Sequence, residues 1–278
     1  MTITRLTLKE AVRRKIIWAG LALGLLFLVV YGLGFHFVQQ DIERSIEPQG
    51  GMGSLAMREI YNFLLLAGLY AVNFMVIAMS VLISIDTLSG EITSGAIQTL
   101  VTKPNNRWQI VIGKWLGFVV MLTLYVLMMA GGTMLLVYST TSYLAPNALQ
   151  AVALLWLNGM LILSLSFWGG SRLTTLANGV VAIGFYGVAF VGGWVEHIGA
   201  FLGNEIAVNI GILSSLIFPS EAVWRRLVYM VQSPLVRRMG VSPFTSNSIP
   251  SPVMIYYTVI FAIVLLFWAM YRFERRDL

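Results

Sequence analysis

Long apolar runs broken by short polar stretches set the pattern of this chain. A bilayer-spanning helix needs about 20 mostly apolar residues. Six windows reach that length with no Asp, Glu, Lys or Arg inside: Ile16–Val38, Ile60–Ile85, Trp115–Tyr138, Leu149–Trp168, Leu176–Val195 and Val253–Tyr271. A seventh stretch, Ile206–Phe218, is too short to cross and ends at Pro219. It is predicted to be a re-entrant or interfacial segment. The pattern therefore predicts an all-α polytopic membrane protein, one transmembrane domain over 1–278. Its non-spanning parts are a basic segment at 1–15 and loops at 39–59, 86–114 and 196–252. No internal repeat or low-complexity tract interrupts it.

Basic residues flanking the spans set the expected orientation. With six spans both termini share a side. That side carries Arg5, Lys9, Arg13, Arg14, Lys15, Lys103, Arg107, Lys114, Arg172, Arg272, Arg275 and Arg276, against Arg44, Arg58, Arg225, Arg226, Arg237 and Arg238 on the other. Four of the latter six fall in one long loop, where the rule is weaker. Both termini are expected in the cytoplasm. The first apolar run is too long for a signal peptide and lacks a small-residue cleavage site, so it is read as an uncleaved span.

Composition agrees. The AVILMFWYC set is 58% of the 278 residues, and charged residues are 11% where a soluble domain has roughly 25%. Too few charges exist to cover a water-facing surface of this size. There are no cysteines, which removes disulfides, thiolate metal sites and Cys nucleophiles.

Absences narrow the function. A P-loop needs a Lys followed by Ser or Thr, whereas the four lysines precede Glu10, Ile16, Pro104 and Trp115. Nucleotide chemistry would have to reside on another subunit. Ion-coupled carriers keep ionisable groups within the bilayer, and none falls inside the six windows; His36 lies at the outer end of the first. Ser171 and His197, a tempting nucleophile–base pair, fall on opposite faces, and Gly169-Gly170-Ser171 reads as a tight turn between spans four and five. Two lone histidines do not build a zinc site.

The segment joining spans two and three is the most informative. Ser89 can cap a helix, Glu91 suits its first turn, and Ile92, Ala96 and Leu100 share one stripe. Pro104 marks the end by biasing Lys103 away from helix. A short helix in a tight cytoplasmic loop either lies on the lipid surface or docks in a groove of a soluble partner. With Glu91 as its one charge it lacks the Lys/Arg face of a surface-bound helix, which tilts the reading toward a protein partner.

Glu91, Gly95, Leu100, Pro104, Arg107 and Gly113-Lys114, in that order, resemble the loop of the ABC-2 type permeases, the membrane subunits of many bacterial ABC exporters, and within them the branch of the copper-enzyme maturation permease. The basic start before span one, Phe218-Pro219-Ser220-Glu221-Ala222 before the last span and the ending Phe273-Glu274-Arg275-Arg276-Asp277-Leu278 extend the resemblance over the chain. Ala96-Ile97 departs from the Thr-Leu common in that family. The resemblance implies the permease subunit of an exporter in a prokaryotic inner membrane, itself not an enzyme and holding no cofactor. Its implied partners are a second permease, identical or homologous, and an ABC ATP-binding subunit that carries ATP and magnesium; no nucleic acid is expected. The loop helix would be the coupling helix. Glu91 and Arg107 are the expected polar contacts with the ATPase, Ile92, Ala96 and Leu100 the docking face, with Gly95, Pro104 and Lys114 completing the motif. The alternative is a membrane scaffold or accessory subunit that keeps the bundle without transporting.

Other features have plainer readings. Arg5, Lys9 and Arg13 form one basic stripe, fitting an interfacial elbow helix or simple anchoring. Gly20-x3-Gly24 and Gly113-x3-Gly117 permit close helix approach, by default within one protomer. Asn73, Asn158 and Asn178 are expected to bond between helices. A helix from Ser220, with Val223, Leu227 and Met230 on one face, is expected along the outer membrane surface with Arg225 and Arg226 solvated.

Overall fold

The computed structural model describes residues 2–45, 50–87, 89–90, 107–233 and 249–275. It is an α-helical bundle. α1 (Thr2–Arg13) is followed, after a break at Arg14, by α2 (Lys15–Ser45) and α3 (Gly50–Ser84). α4 (Arg107–Val126) runs through a π-helical turn at Leu127–Gly131 into α5 (Gly132–Thr141). Then come α6 (Ala148–Gly170), α7 (Thr175–Leu202), α8 (Glu205–Ile217), α9 (Ser220–Val231) and α10 (Val253–Glu274).

Among the described residues, six helices are long and apolar enough to cross a membrane: Lys15–Ile42, Leu55–Ser84, Trp108–Thr141, Ala148–Gly170, Thr175–Leu202 and Val253–Glu274. The chain is a multi-pass membrane protein. Each window read from the sequence lies within or against one of these helices, but most helices run further than the apolar windows. The reason is local: once helix is nucleated, each added residue gains a backbone bond, and polar residues beyond the bilayer do not stop it. Caps do. Thr174 starts α7, its hydroxyl accepting from Ala177 N, and Gly203, with φ of 68°, ends it. Asn204 starts α8 by accepting from Ile206 N and Ala207 N.

The bundle centre is α3 against α6 and α4. Leu65, Leu69, Val72 and Val76 of α3 meet Leu122 of α4, Met129 of the π turn and Leu155 of α6, all buried. α2 is peripheral, with 11% of its apolar window buried against 67% for α6. Its large apolar side chains, Leu23, Leu26, Val30 and Leu33 among them, face outward, as lipid contact requires. Gly20 and Gly24 lie where α2 crosses the bundle, against Met79 and against Met129 and Tyr125. Both small-residue pairs pack inside the protomer; Gly113 and Gly117 sit under Ile3 and Thr7 of α1.

The asparagines bond between helices as expected. Asn158 Nδ2 donates to Asn73 Oδ1 at 2.8 Å, and Ser220 Oγ donates to Asn158 Oδ1 at 2.7 Å. Asn178 Nδ2 donates to Ile85 O at 3.2 Å and Ser166 O at 3.0 Å. Residues 171–173 turn tightly after Gly169, whose carbonyl accepts from Arg172 N and Leu173 N.

The short seventh segment is α8, and its path is set by the contacts around it. α8 packs back along α7, with Gly211 against Glu196 and Ser214 against Gly192. Its end delivers Phe218, fully buried, between Phe185 of α7 and Phe261 of α10, with ring centroids 5.8 and 6.3 Å away. The chain then bends by 108° into α9. α9 climbs back to the end it came from. Asn62, near the start of α3, donates to Val231 O at 2.9 Å; Asn147, at the start of α6, donates to Met230 O at 3.1 Å. Ser233 Oγ reaches the Glu59 carboxylate at 2.6 Å. α7 ends where α3 and α6 begin, so α8 and α9 enter and leave on one side: a re-entrant hairpin.

Two expectations fail here. α9 does not lie along an outer surface. It is packed against α6, with Val223, Leu227, Val228 and Val231 in the core, and its first residue spends its hydroxyl on Asn158 rather than on a cap. Nor is the bundle free of buried charge. α7 continues past its apolar window, carrying Glu196 at 2% exposure against Arg225 of α9 at 8%. The face opposite the apolar stripe of α9 is turned inward as well, because α7 and α8 cover it. The solvated-face reading of Arg225 is therefore overturned, while Glu196 lies one residue beyond the fifth apolar window, so the windows themselves stay free of Asp, Glu, Lys and Arg.

Candidate functional site

The loop between α3 and α4 leaves the end of the bundle that carries both termini. Trp168 at the end of α6 stacks edge-on with Trp268 of α10 at 6.0 Å, and α1 lies across the start of α4. Of the residues singled out in this loop, Glu91, Ile92, Gly95, Ala96, Leu100 and Pro104 lie outside the described residues, as does the side chain of Arg107. Arg107 opens α4, and Lys114, two turns on, is buried at 3% exposure.

The two roots of the loop are well defined. At the first, Thr175 Oγ1 donates to Asp86 Oδ1 at 3.0 Å, tying the start of α7 to the end of α3. Ser89 and Gly90 are helical; Ser89 Oγ donates to Ile85 O at 2.9 Å and lies 3.1 Å from Thr175 Oγ1. A Cβ at Gly90 would meet the Asp86 carboxylate, which would have to turn away from Thr175 to make room. Asn178 adds its bond to Ile85 O. Arg14, in the break between α1 and α2, approaches Asp86 at 3.9 Å. That pair is half-exposed and contributes little by itself. At the second root, Ile3 and Thr7 of α1 seat on Gly113 and Gly117 of α4. Arg5, Lys9 and Arg13 remain exposed on the other face of α1, while Thr7 and Ala11 are buried.

Ser171 and His197 are separated by most of α7, roughly 35 Å along its axis, and Ser171 Oγ donates to Trp168 O. No group of three His, Asp or Glu that could hold a metal occurs among the described residues.

A family model described as "ABC-2 family transporter protein" matches residues 1–278. The chain belongs to that family. No curated protein matches it. As an ABC-2 family member it is the membrane permease component of an ABC transporter, and the loop roots acquire a meaning. The permease has a segment whose two ends contact four elements, α1, α3, α4 and α7. Asp86, Thr175, Asn178 and Arg14 were missed from the sequence as part of this grip. A Thr-Thr pair opening span five beside an acid closing span two was the available signal. It marks a contact only once the two ends are known to be neighbours.

Proposed function

We propose that this ABC-2 permease works in an ATP-driven exporter, moved through its 88–106 loop by a separate ATP-binding subunit that holds ATP and magnesium. Two permeases and two ATP-binding subunits form the transporter. Both termini and the loop face the cytoplasm across the inner membrane, the side the basic residues favour. Glu91 and Arg107 make the polar contacts and Ile92, Ala96 and Leu100 the docking face. Gly95, Pro104 and Lys114 complete the coupling motif.

The observation that carries this reading is the grip on the loop roots. A lever works only if its base is stiff, and the Asp86–Thr175 bond, the Ser89 and Asn178 bonds to Ile85 O and the seat of α1 on Gly113 and Gly117 make one. A packed bundle switches between discrete arrangements rather than flexing continuously, so a push at such a base moves whole helices.

The test is co-purification with an ABC ATPase from the native membrane. The permease carrying Glu91→Ala and Leu100→Asp should lose at least tenfold of the bound ATPase while keeping its own thermal unfolding temperature. Retention of the ATPase by that variant removes the docking role. Absence of any ATPase from the native complex would leave a membrane scaffold.

A further inference from the structure

A cavity of about 190 Å³ lies between the re-entrant hairpin and the start of α10, and the buried ion pair forms its wall. Arg225 Nη1 is 2.5 Å from Glu196 Oε1, and Nη2 donates to Ser215 Oγ at 3.2 Å. Nε of the same guanidinium is buried without a hydrogen-bond partner. A buried N–H left open is costly. Mutual neutralisation with Glu196 accounts for the charge of Arg225 but not for the open donor or for the space beside it.

We infer that this cavity holds the headgroup of a zwitterionic phospholipid of the phosphoethanolamine type. The phosphate sits on the open edge of Arg225, the ammonium beside the Glu196 carboxylate, and the acyl chains run out over α8. Four features select that ligand. The guanidinium fork matches phosphate oxygens. The wall contributes one charge of each sign, so a headgroup with both signs is accommodated, whereas a net anion meets Glu196 as well as Arg225. Apart from Ser215 and Ser251 the rest of the lining is apolar, Ile212, Leu216 and Met254 among it, and Ile212 and Leu216 are 41% and 44% exposed. Finally, Glu196 lies six residues before the end of α7, roughly 9 Å of helix, so the cavity sits toward the end of a candidate span, within reach of a headgroup. The site needs neither the ATPase nor the loop helix, so it stands apart from the coupling proposal.

The full-length permease, placed in nanodiscs of phosphatidylethanolamine, phosphatidylglycerol and phosphatidylcholine in equal parts, is released for native mass spectrometry. The wild type should retain phosphatidylethanolamine at least tenfold over either other lipid. Phosphatidylcholine has no N–H to give Glu196, and phosphatidylglycerol has no cation. Ser251→Trp fills the cavity from an exposed position outside the ion pair. It should drop retention to the bilayer ratio with the unfolding temperature unchanged. Arg225→Lys, which keeps the charge but not the fork, should lower retention several-fold. Equal retention of the three lipids by the wild type, or undiminished selectivity in Ser251→Trp, overturns the inference.

Discussion

Arg225 and Glu196 sit where a single charge would be expelled, and each offsets the other, with the buried carboxyl of Glu221 close by. Removing one partner of a buried pair leaves an uncompensated charge and costs about 3–5 kcal/mol, whereas replacing both by uncharged groups is close to neutral. Arg225→Met alone should therefore lower the thermal unfolding temperature of the detergent-solubilised protein sharply. The double variant Glu196→Gln/Arg225→Met should recover most of it. Equal losses in single and double variants would mean that the pair is not coupled. The sequence offered a trace of this arrangement in Glu221 and Arg225, four apart on one helix, and in Glu196 one residue beyond an apolar window. Periodicity could not show it, because an apolar stripe reports one buried face and is silent on whether the opposite face is covered by another element. Asn73 and Asn158 were easier: a carboxamide in an apolar run has no water to turn to, so a partner on another helix is implied.

At the level of elements, the membrane helices were readable from run length alone, because hydrocarbon imposes both the helix and its minimum size. Their ends were not. These depend on capping residues such as Thr174 and Asn204 and on polar turns that extend a helix past the bilayer. The hairpin was half legible: α8 announced itself by being too short, while α9, with Glu221, Arg225 and Arg226 in twelve residues, looked like an aqueous helix. Packing of α2 uses Gly20 and Gly24 at its crossing, besides Tyr31 and Phe35 further along. Gly24→Leu would drive a side chain into Met129 Sδ, 2.8 Å from where a Cβ would stand, and toward the Tyr125 ring. Overpacking of this kind costs about 1–3 kcal/mol, and with so little of α2 buried elsewhere it should release the helix. Increased proteolysis between residues 14 and 50, with α3 to α10 still protected, is the expected result. An unchanged digestion pattern would show that Met129 moves aside.

For the whole molecule, six crossings and membership of a transport family followed from length, composition and motif order, and the loop between spans two and three was located by its residues. The docking face proposed for it rests on the residue pattern alone, an apolar stripe with few charges, because a groove on another protein would leave no other mark on this chain. The absence of cysteine makes topology directly measurable. Single cysteines at Asn204 and Ser233 should react with an impermeant maleimide from the same side of sealed vesicles, and one at Arg275 from the opposite side. Labelling of Asn204 and Ser233 from opposite sides would make α8 and α9 a seventh, broken crossing.

The hairpin poses a problem of biogenesis. Α segment as apolar as α8 reaches the translocon as a candidate for full passage, and threading it through would invert the final helix. Arg272, Arg275 and Arg276, close behind α10, resist being carried across, and Arg225 can settle only once α7 has presented Glu196. The fold-back of α8 and α9 therefore sets the side from which the final helix starts, and whatever holds that fold-back together bears on the orientation of all that follows it.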